Sequence, residues 1–256
     1  MELTWLKVGA WERLDGLVHG FLGRRGGRSV GPYAGLNLSF RAGDDPAVVK
    51  DNICDAKKML GLHDARIITM NQVHGDRIIE VTDRHLKEAG EADGLMTRTP
   101  DAYLGILTAD CVPILFIAPR EKIAAAVHAG WRGTLAGIAA RMVSRFGEVY
   151  GVAAERIEAA LGPSIGPCCY EVEEDVAGPM AQRWGATAPE AIASGGKKTF
   201  LDLRALNRGI LEAAGVPSGR IFSIGPCTAC HADDFFSYRR ARGNTGRQLS
   251  FVGWRG

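Results

Sequence analysis

The chain has 256 residues, 46% of them hydrophobic, and its 31 basic and 29 acidic side chains leave a net charge of +2. That balance excludes a protein held to nucleic acid by bulk charge. No apolar run approaches the roughly 18–20 residues that span a membrane, and the first residues carry Glu2, Lys7, Glu12 and Arg13 rather than an apolar leader. A cytoplasmic protein with reduced cysteines is therefore expected.

Residues 18–40 are rich in Gly, Arg and Ser, with turns marked by Gly26–Gly27, Gly31–Pro32 and Gly35. They read either as a surface loop with solvated arginines or as an anion pocket made by Arg24, Arg25 and backbone amides. A helix is predicted over 46–60, with Asp45 as N-cap, Pro46 in the first turn and Gly61 as the stop. Residues 65–81 predict a strand, a sharp turn and a second strand. Asn71, Gln72 and His74 fall in the turn, and Gly75 permits the bend. A histidine in a turn is ordinarily a polar turn residue, but one between two apolar strands is rigidly held.

A further turn at Asp93–Gly94 leads to the most informative stretch, 108–134. Residues 112–117 and 123–127 are continuous apolar runs, as in strands buried on both faces, joined by a turn at 118–121. Pro113 is tolerated near a strand start. In an antiparallel pair, Cys111 and His128 fall at the same sheet end. A Cys and a His there suit either a thiolate metal site or a nucleophile–base pair. The turn 130–133 precedes a helix predicted from Thr134, as N-cap, to about Phe146. Arg132 and the first helical amides form a second candidate anion site, or else a plain strand–helix connection.

Residues 156–161 predict a strand running into a Gly/Pro-punctuated loop, 162–172. The adjacent Cys168 and Cys169 in that loop are read as buried small side chains, since neighbours in sequence do not readily share one metal. Residues 173–184 predict a helix, 185–198 an exposed Ala/Gly-rich insertion, and 201–214 an amphipathic helix with Leu203, Leu206, Ile210 and Leu211 on one face. Residues 221–224 make a short strand. Cys227, Cys230 and His231 spell a c-type haem attachment, set aside because nothing marks export. A zinc knuckle wants a second CxxC, and a redox CxxC stays open. Arg239 and Arg240 face either cleft or solvent, and 248–254 is the last strand. The expected fold class is α+β, one domain over 1–256 with mixed sheets in layers and helices outside.

The strings Asn71-Gln72-Val73-His74-Gly75, Thr108-Ala109-Asp110-Cys111, Val127-His128-Ala129-Gly130-Trp131-Arg132-Gly133 and Gly162-Pro163-Ser164-Ile165-Gly166 occur in this order. With Arg24-Arg25-Gly26-Gly27, Leu36-Asn37-Leu38 and Phe236-Ser237-Tyr238-Arg239-Arg240, they make the chain resemble, over nearly its whole length, the laccase-domain family. That family is now described as purine nucleoside phosphorylases and includes the peptidoglycan editing factor. It departs from the family at Leu22–Gly23, where hydroxyl residues are common, and over 180–198.

The resemblance implies a zinc site of His74, Cys111 and His128, which would also be the catalytic residues. Three protein ligands leave a fourth corner for water or substrate, and copper is possible at the same donors. It implies phosphorolysis of adenosine, inosine and methylthioadenosine, and deamination of adenosine. Arg24, Arg25, Asn37 and Arg132 would contact phosphate or ribose, so the expected partners are a nucleoside and phosphate, without nucleic acid or membrane. The name laccase fits the donors poorly: several coppers need about ten histidines, many as His-x-His, and the chain has six His and no such pair. Two alternatives belong to other classes. One is a cysteine hydrolase acting on aberrant peptidoglycan precursors, with Cys111 as nucleophile and His128 or His74 as base. The other is a non-catalytic metal-binding module.

Overall fold

A computed structural model describes residues 5–63, 65–195 and 198–256. The first of the described elements are β1 (Trp5–Leu6), β2 (Leu17–Leu22) and helix α1 (Pro46–Met59). Six strands follow: β3 (Arg66–Asn71), β4 (Ile78–Glu80), β5 (Glu88–Glu91), β6 (Gly94–Thr97), β7 (Ala102–Thr108) and β8 (Val112–Ala118). Next come β9 (Ile123–Ala129), α2 (Trp131–Ala136), α3 (Ile138–Tyr150) and β10 (Glu158–Leu161). The last part carries β11 (Glu171–Val172), α4 (Glu174–Trp184), β12 (Ile192–Gly195), β13 (Lys198–Leu201), α5 (Leu203–Ala213), β14 (Ile221–Ser223) and β15 (Gln248–Trp254).

One sheet has the order β1-β2-β15-β7-β3-β5, a second β14-β10-β8-β9-β6-β4, and a small third β11-β13-β12. The two large sheets stack. The period-2 alternation of strands explains how an unbroken apolar run serves both faces. On β8, Leu115 and Ile117 point to the core between the sheets, with Phe21, Ile68, Leu104 and Ile106 opposite. Its Val112, Ile114 and Phe116 point outward, against Met142 and Phe146 of α3 and Leu206 and Ile210 of α5. The outer face of the first sheet packs Tyr103, Leu249 and Phe251 against Ala56 of α1. The result is the expected α+β arrangement, two sheets between helical layers.

Local expectations fared unevenly. The helix over 46–60 is present as α1, and Asp45 accepts the Ala47 N–H at 2.8 Å. The strands over 65–81 exist, but β3 and β4 lie in different sheets, so the turn between them is a crossing. The helix expected from Thr134 starts earlier, at Trp131, with Gly130 as its N-cap. It is broken at Gly137, whose φ of 85° is left-handed. Thr134 is therefore no cap: it is buried inside α2, and its hydroxyl accepts from Asn207 Nδ2 at 2.8 Å. The stretch 185–198 is not a plain exposed insertion either. It forms β12 and the start of β13 and buries Ala188 and Ala191; residues 196 and 197 lie outside those described.

His19 is buried, at 4% exposure. Its Nε2 accepts the Val8 N–H at 3.0 Å, and its ring meets Trp11 edge-on at 5.1 Å. Burial, with the Lys7 charge adding to it, pushes its pKa from 6.5 down to about 4. Between those values the unfolded chain takes up a proton that the fold refuses. Stability from this site is thus complete above the unfolded value and is lost as pH falls toward the folded one, by about 3 kcal/mol. Urea unfolding between about pH 7 and pH 4 should show that loss. His19→Gln, which keeps an acceptor for Val8, should flatten the slope across the same window.

Candidate metal centre

Three connections pass from the first sheet to the second: 72–77 between β3 and β4, 92–93 between β5 and β6, and 109–111 between β7 and β8. β3 is parallel to both β5 and β7, so the crossings lie side by side at one end of the molecule. The end of β9 joins them, because its register sets His128 opposite Pro113, two residues after Cys111. His74 sits on the first crossing, Cys111 at the end of the third and His128 on β9. Their ligand atoms all lie within 4.8 Å of one another. The two imidazoles stand 4.7 Å apart and nearly perpendicular, at 79°.

Asp93, on the second crossing, holds this arrangement. It is fully buried. Its carboxylate accepts the backbone N–H groups of Val73, His74 and Gly75 at 3.2, 3.0 and 2.6 Å. That fan of donors fixes a turn in which His74 takes a left-handed φ of 61°. The same carboxylate meets His128 Nδ1 at 2.7 Å. A carboxylate only accepts, so Nδ1 carries the proton and Nε2 is left facing the cluster. Gln72 pins the other side of the turn, donating to the Leu107 carbonyl at 2.8 Å and accepting the Leu107 N–H at 2.9 Å.

A second buried carboxylate performs the same task for Cys111. Asp110 has φ 93°, a region that non-glycine residues rarely adopt. Its oxygens accept Thr228 Oγ1 at 2.6 Å, Ser237 Oγ at 3.0 Å and the Arg239 N–H at 2.7 Å. Gly130 matters for space, not conformation. Its φ of −74° is ordinary, but a Cβ there would lie 3.0 Å from Cys111 Sγ and 3.1 Å from His74 Cδ2.

The electrostatics follow from this packing. Burial alone raises the Cys111 thiol, but the charge and hydrogen bond of His128, with His74 assisting, outweigh it and bring Cys111 down to about 6. Burial opposes the charge on His128 too. The Cys111 thiolate and Asp93 overcome it and lift His128 to about 9. Without a metal, these opposed shifts favour thiolate and imidazolium over the neutral pair. Two imidazole nitrogens and one thiolate at this spacing are also a donor set that zinc accepts.

The cluster lies in a cavity of about 930 Å³. Trp131, Ile165 and Tyr170 supply apolar wall, and Arg132, Arg239 and Arg247 bring positive charge. Of the anion-binding candidates, only Arg132 is in this lining. Arg24 donates to the carbonyls of Ala34 and Ala232, at 2.7 and 3.2 Å. Arg25 pairs with Asp234 at 2.5 Å. Asn37 is fully buried and accepts the Arg247 N–H at 2.9 Å, so it supports a cavity residue rather than lining the cavity. Arg239 faces the cleft, whereas Arg240 turns away to the carbonyls of Thr228, Ala229 and Phe235.

Sequence reasoning missed Asp93 and Asp110 as organising groups. Asp93 was legible only as half of a DG turn; Asp110 stood beside Cys111 in a motif but with no sign of its partners. The expectation that Cys168 and Cys169 are buried is also corrected. Cys168 is exposed, Cys169 partly so, and both lie against Cys227 and Cys230. In metal-stripped protein, alkylation of Cys111 by iodoacetamide, followed by peptide mapping, should show a midpoint near the value of about 6. Asp93→Asn removes the charge that holds His128 protonated and should shift that midpoint upward.

The chain resembles known proteins along most of its length. The model of the family described as multi-copper polyphenol oxidoreductase laccase matches residues 18–255. A purine nucleoside phosphorylase of Deinococcus radiodurans is 42% identical over 237 residues, covering 92% of this chain and 88% of that protein. Adenosine deaminase RL5, from an unknown prokaryotic organism, is 35% identical over 231 residues, covering 86% and 87%. The crystal structure of YlmD from Geobacillus stearothermophilus superposes with a TM-score of 0.93 at 38% identity, covering 98% of this chain and 96% of that one. The chain belongs to this laccase-like family, whose matched relatives carry the names of purine nucleoside phosphorylases and an adenosine deaminase.

Proposed function

We propose that this protein is a zinc-dependent purine nucleoside enzyme, converting adenosine, inosine or methylthioadenosine with phosphate to the free base and a ribose 1-phosphate, and adenosine with water to inosine and ammonia. The observation that carries this is the convergence of His74, Cys111 and His128 in a cavity lined by arginines. The names of the matched relatives support the two activities. A three-ligand site keeps one corner open, which is the pattern of catalytic rather than structural zinc. When bound, the ion supplies Lewis acidity and lowers the pKa of water in its reach.

The chain's own residues do the rest. Asp93 fixes the tautomer and direction of His128. Trp131, Ile165 and Tyr170 offer surfaces against which a purine can lie. Arg132, Arg239 and Arg247 are placed to hold an anion beside the sugar. Thr108 Oγ1, in the cavity lining, is buried with no hydrogen-bond partner among the described residues and is available to a ligand. Multicopper oxidation is not proposed, because two imidazoles and a thiol are not the donors of a copper cluster.

A second reading rests on a specific observation, the low thiol of Cys111 against His128 with Asp93 behind it. Nucleophile, base and orienting carboxylate are the parts of a cysteine hydrolase, which would act on aberrant peptidoglycan precursors. Chelation separates the two.

Purified zinc-loaded protein given adenosine and phosphate should yield adenine, ribose 1-phosphate and inosine. Cys111→Ala, or a chelator, should reduce all products by roughly 10³-fold, the several kcal/mol that a metal supplies. Nucleoside turnover that survives complete chelation would contradict the proposal. Arg132→Ala, at an exposed position, should raise the KM for phosphate by roughly 10-fold, the scale of one charged hydrogen bond, and leave deamination unchanged.

A further inference from the structure

Four of the five cysteines that the proposed chemistry does not use form a second cluster. Cys168 and Cys169 lie in a turn where the N–H groups of Cys169 and Tyr170 both donate to the Gly166 carbonyl at 3.0 Å. Helix-like curling of this kind sets consecutive side chains about 100° apart rather than on opposite sides as in a strand. Two neighbours can thus aim at one point, which the sequence reading did not anticipate. That point is met from the other side by Cys227 and Cys230.

The two loops are tied together by their backbones. Ser164 and Cys227 form a parallel bridge, and Thr228 N–H donates to the Ser164 carbonyl at 3.0 Å. The four sulfurs all lie within 4.8 Å of one another. Cys230 Sγ is 3.5 Å from Cys168 Sγ and 3.3 Å from Cys169 Sγ. A tetrahedral ion with bonds of about 2.3 Å to four sulfurs holds them about 3.8 Å apart, whereas a disulfide needs about 2.05 Å. All four are free cysteines. Cys227 Sγ accepts the Gly166 N–H at 3.2 Å, a donor suited to a thiolate.

We propose that Cys168, Cys169, Cys227 and Cys230 bind a second zinc ion, separate from the His74–Cys111–His128 centre. None of the four lines the cavity. Four thiolates leave no corner for substrate, so the ion is structural. Each thiol gives up its proton as its sulfur enters the coordination shell. The ion staples two loops that build the active end of the molecule. The first carries Ile165 and Tyr170 in the cavity wall, and the second carries Thr228, which holds the strained Asp110 beside Cys111.

The test is independent of nucleoside turnover. Protein purified anaerobically from zinc-supplemented cells should contain two zinc ions per chain by elemental mass spectrometry. Cys111→Ala should contain one, and Cys227→Ser/Cys230→Ser should also contain one. Should the double variant not fold, cobalt(II) titration of Cys111→Ala decides alone. Its spectrum should show the strong sulfur-to-cobalt charge-transfer absorption and intense visible bands of a tetrahedral four-thiolate site. A Cys111→Ala protein that holds no zinc and shows no such cobalt spectrum would overturn the second site while leaving the first intact. A disulfide between these cysteines, found by mass mapping of the anaerobic protein, would overturn it in favour of a redox pair.

Discussion

The carboxylate of Asp93 is the constraint on which the rest of the active end depends. It is a buried charge, and burying one is costly unless donors surround it. Here three successive amides of the 73–75 turn and the ring of His128 converge on it. Hydrogen bonds to a charged group contribute about 1.5–3 kcal/mol each. The same bonds that offset desolvation also set the left-handed turn at His74 and the tautomer of His128. One side chain thus fixes two of three prospective ligands, which come from segments more than fifty residues apart in the chain.

Sheet topology explains why these groups meet. Three crossings leave the ends of parallel strands in one sheet and enter the other, so chain segments distant in sequence become neighbours at one edge. Crossing backbone cannot complete a strand ladder. Its polar groups are satisfied by side chains instead: Asp93 for one crossing, Gln72 for its junction with β7, and Asp110 within another. Strain at Asp110 and close packing at Gly130 are tolerated because the adjoining strands β8 and β9 are buried on both faces and do not yield.

The sequence made some of this legible. The hairpin that brings Cys111 to His128 follows from two apolar runs and the antiparallel rule, and the layered α+β arrangement follows from the same patterning. His74 entered only through resemblance to a family, since a histidine in a turn has no periodicity to betray its direction. Asp93 looked like half of a turn because local pattern reports chemistry between neighbours, and its four partners are distant in sequence. The same limit hid the cysteine cluster, where a vicinal pair and a CxxC about sixty residues apart are joined by a bridge at Ser164. Arg24 and Arg25 were legible only as part of a Gly-rich basic loop that resembles an anion pocket; in the structure Arg24 bonds to Ala34 within the loop, and Arg25 ties the loop to Asp234.

Crystals of the zinc-loaded protein, with diffraction collected on both sides of the zinc absorption edge, would test the three-ligand centre directly. An anomalous peak should stand about 2.0–2.3 Å from a nitrogen of His74, Cys111 Sγ and His128 Nε2, with Asp93 bound to the far side of the His128 ring. Ordered density for all three side chains with no anomalous peak between them would contradict it.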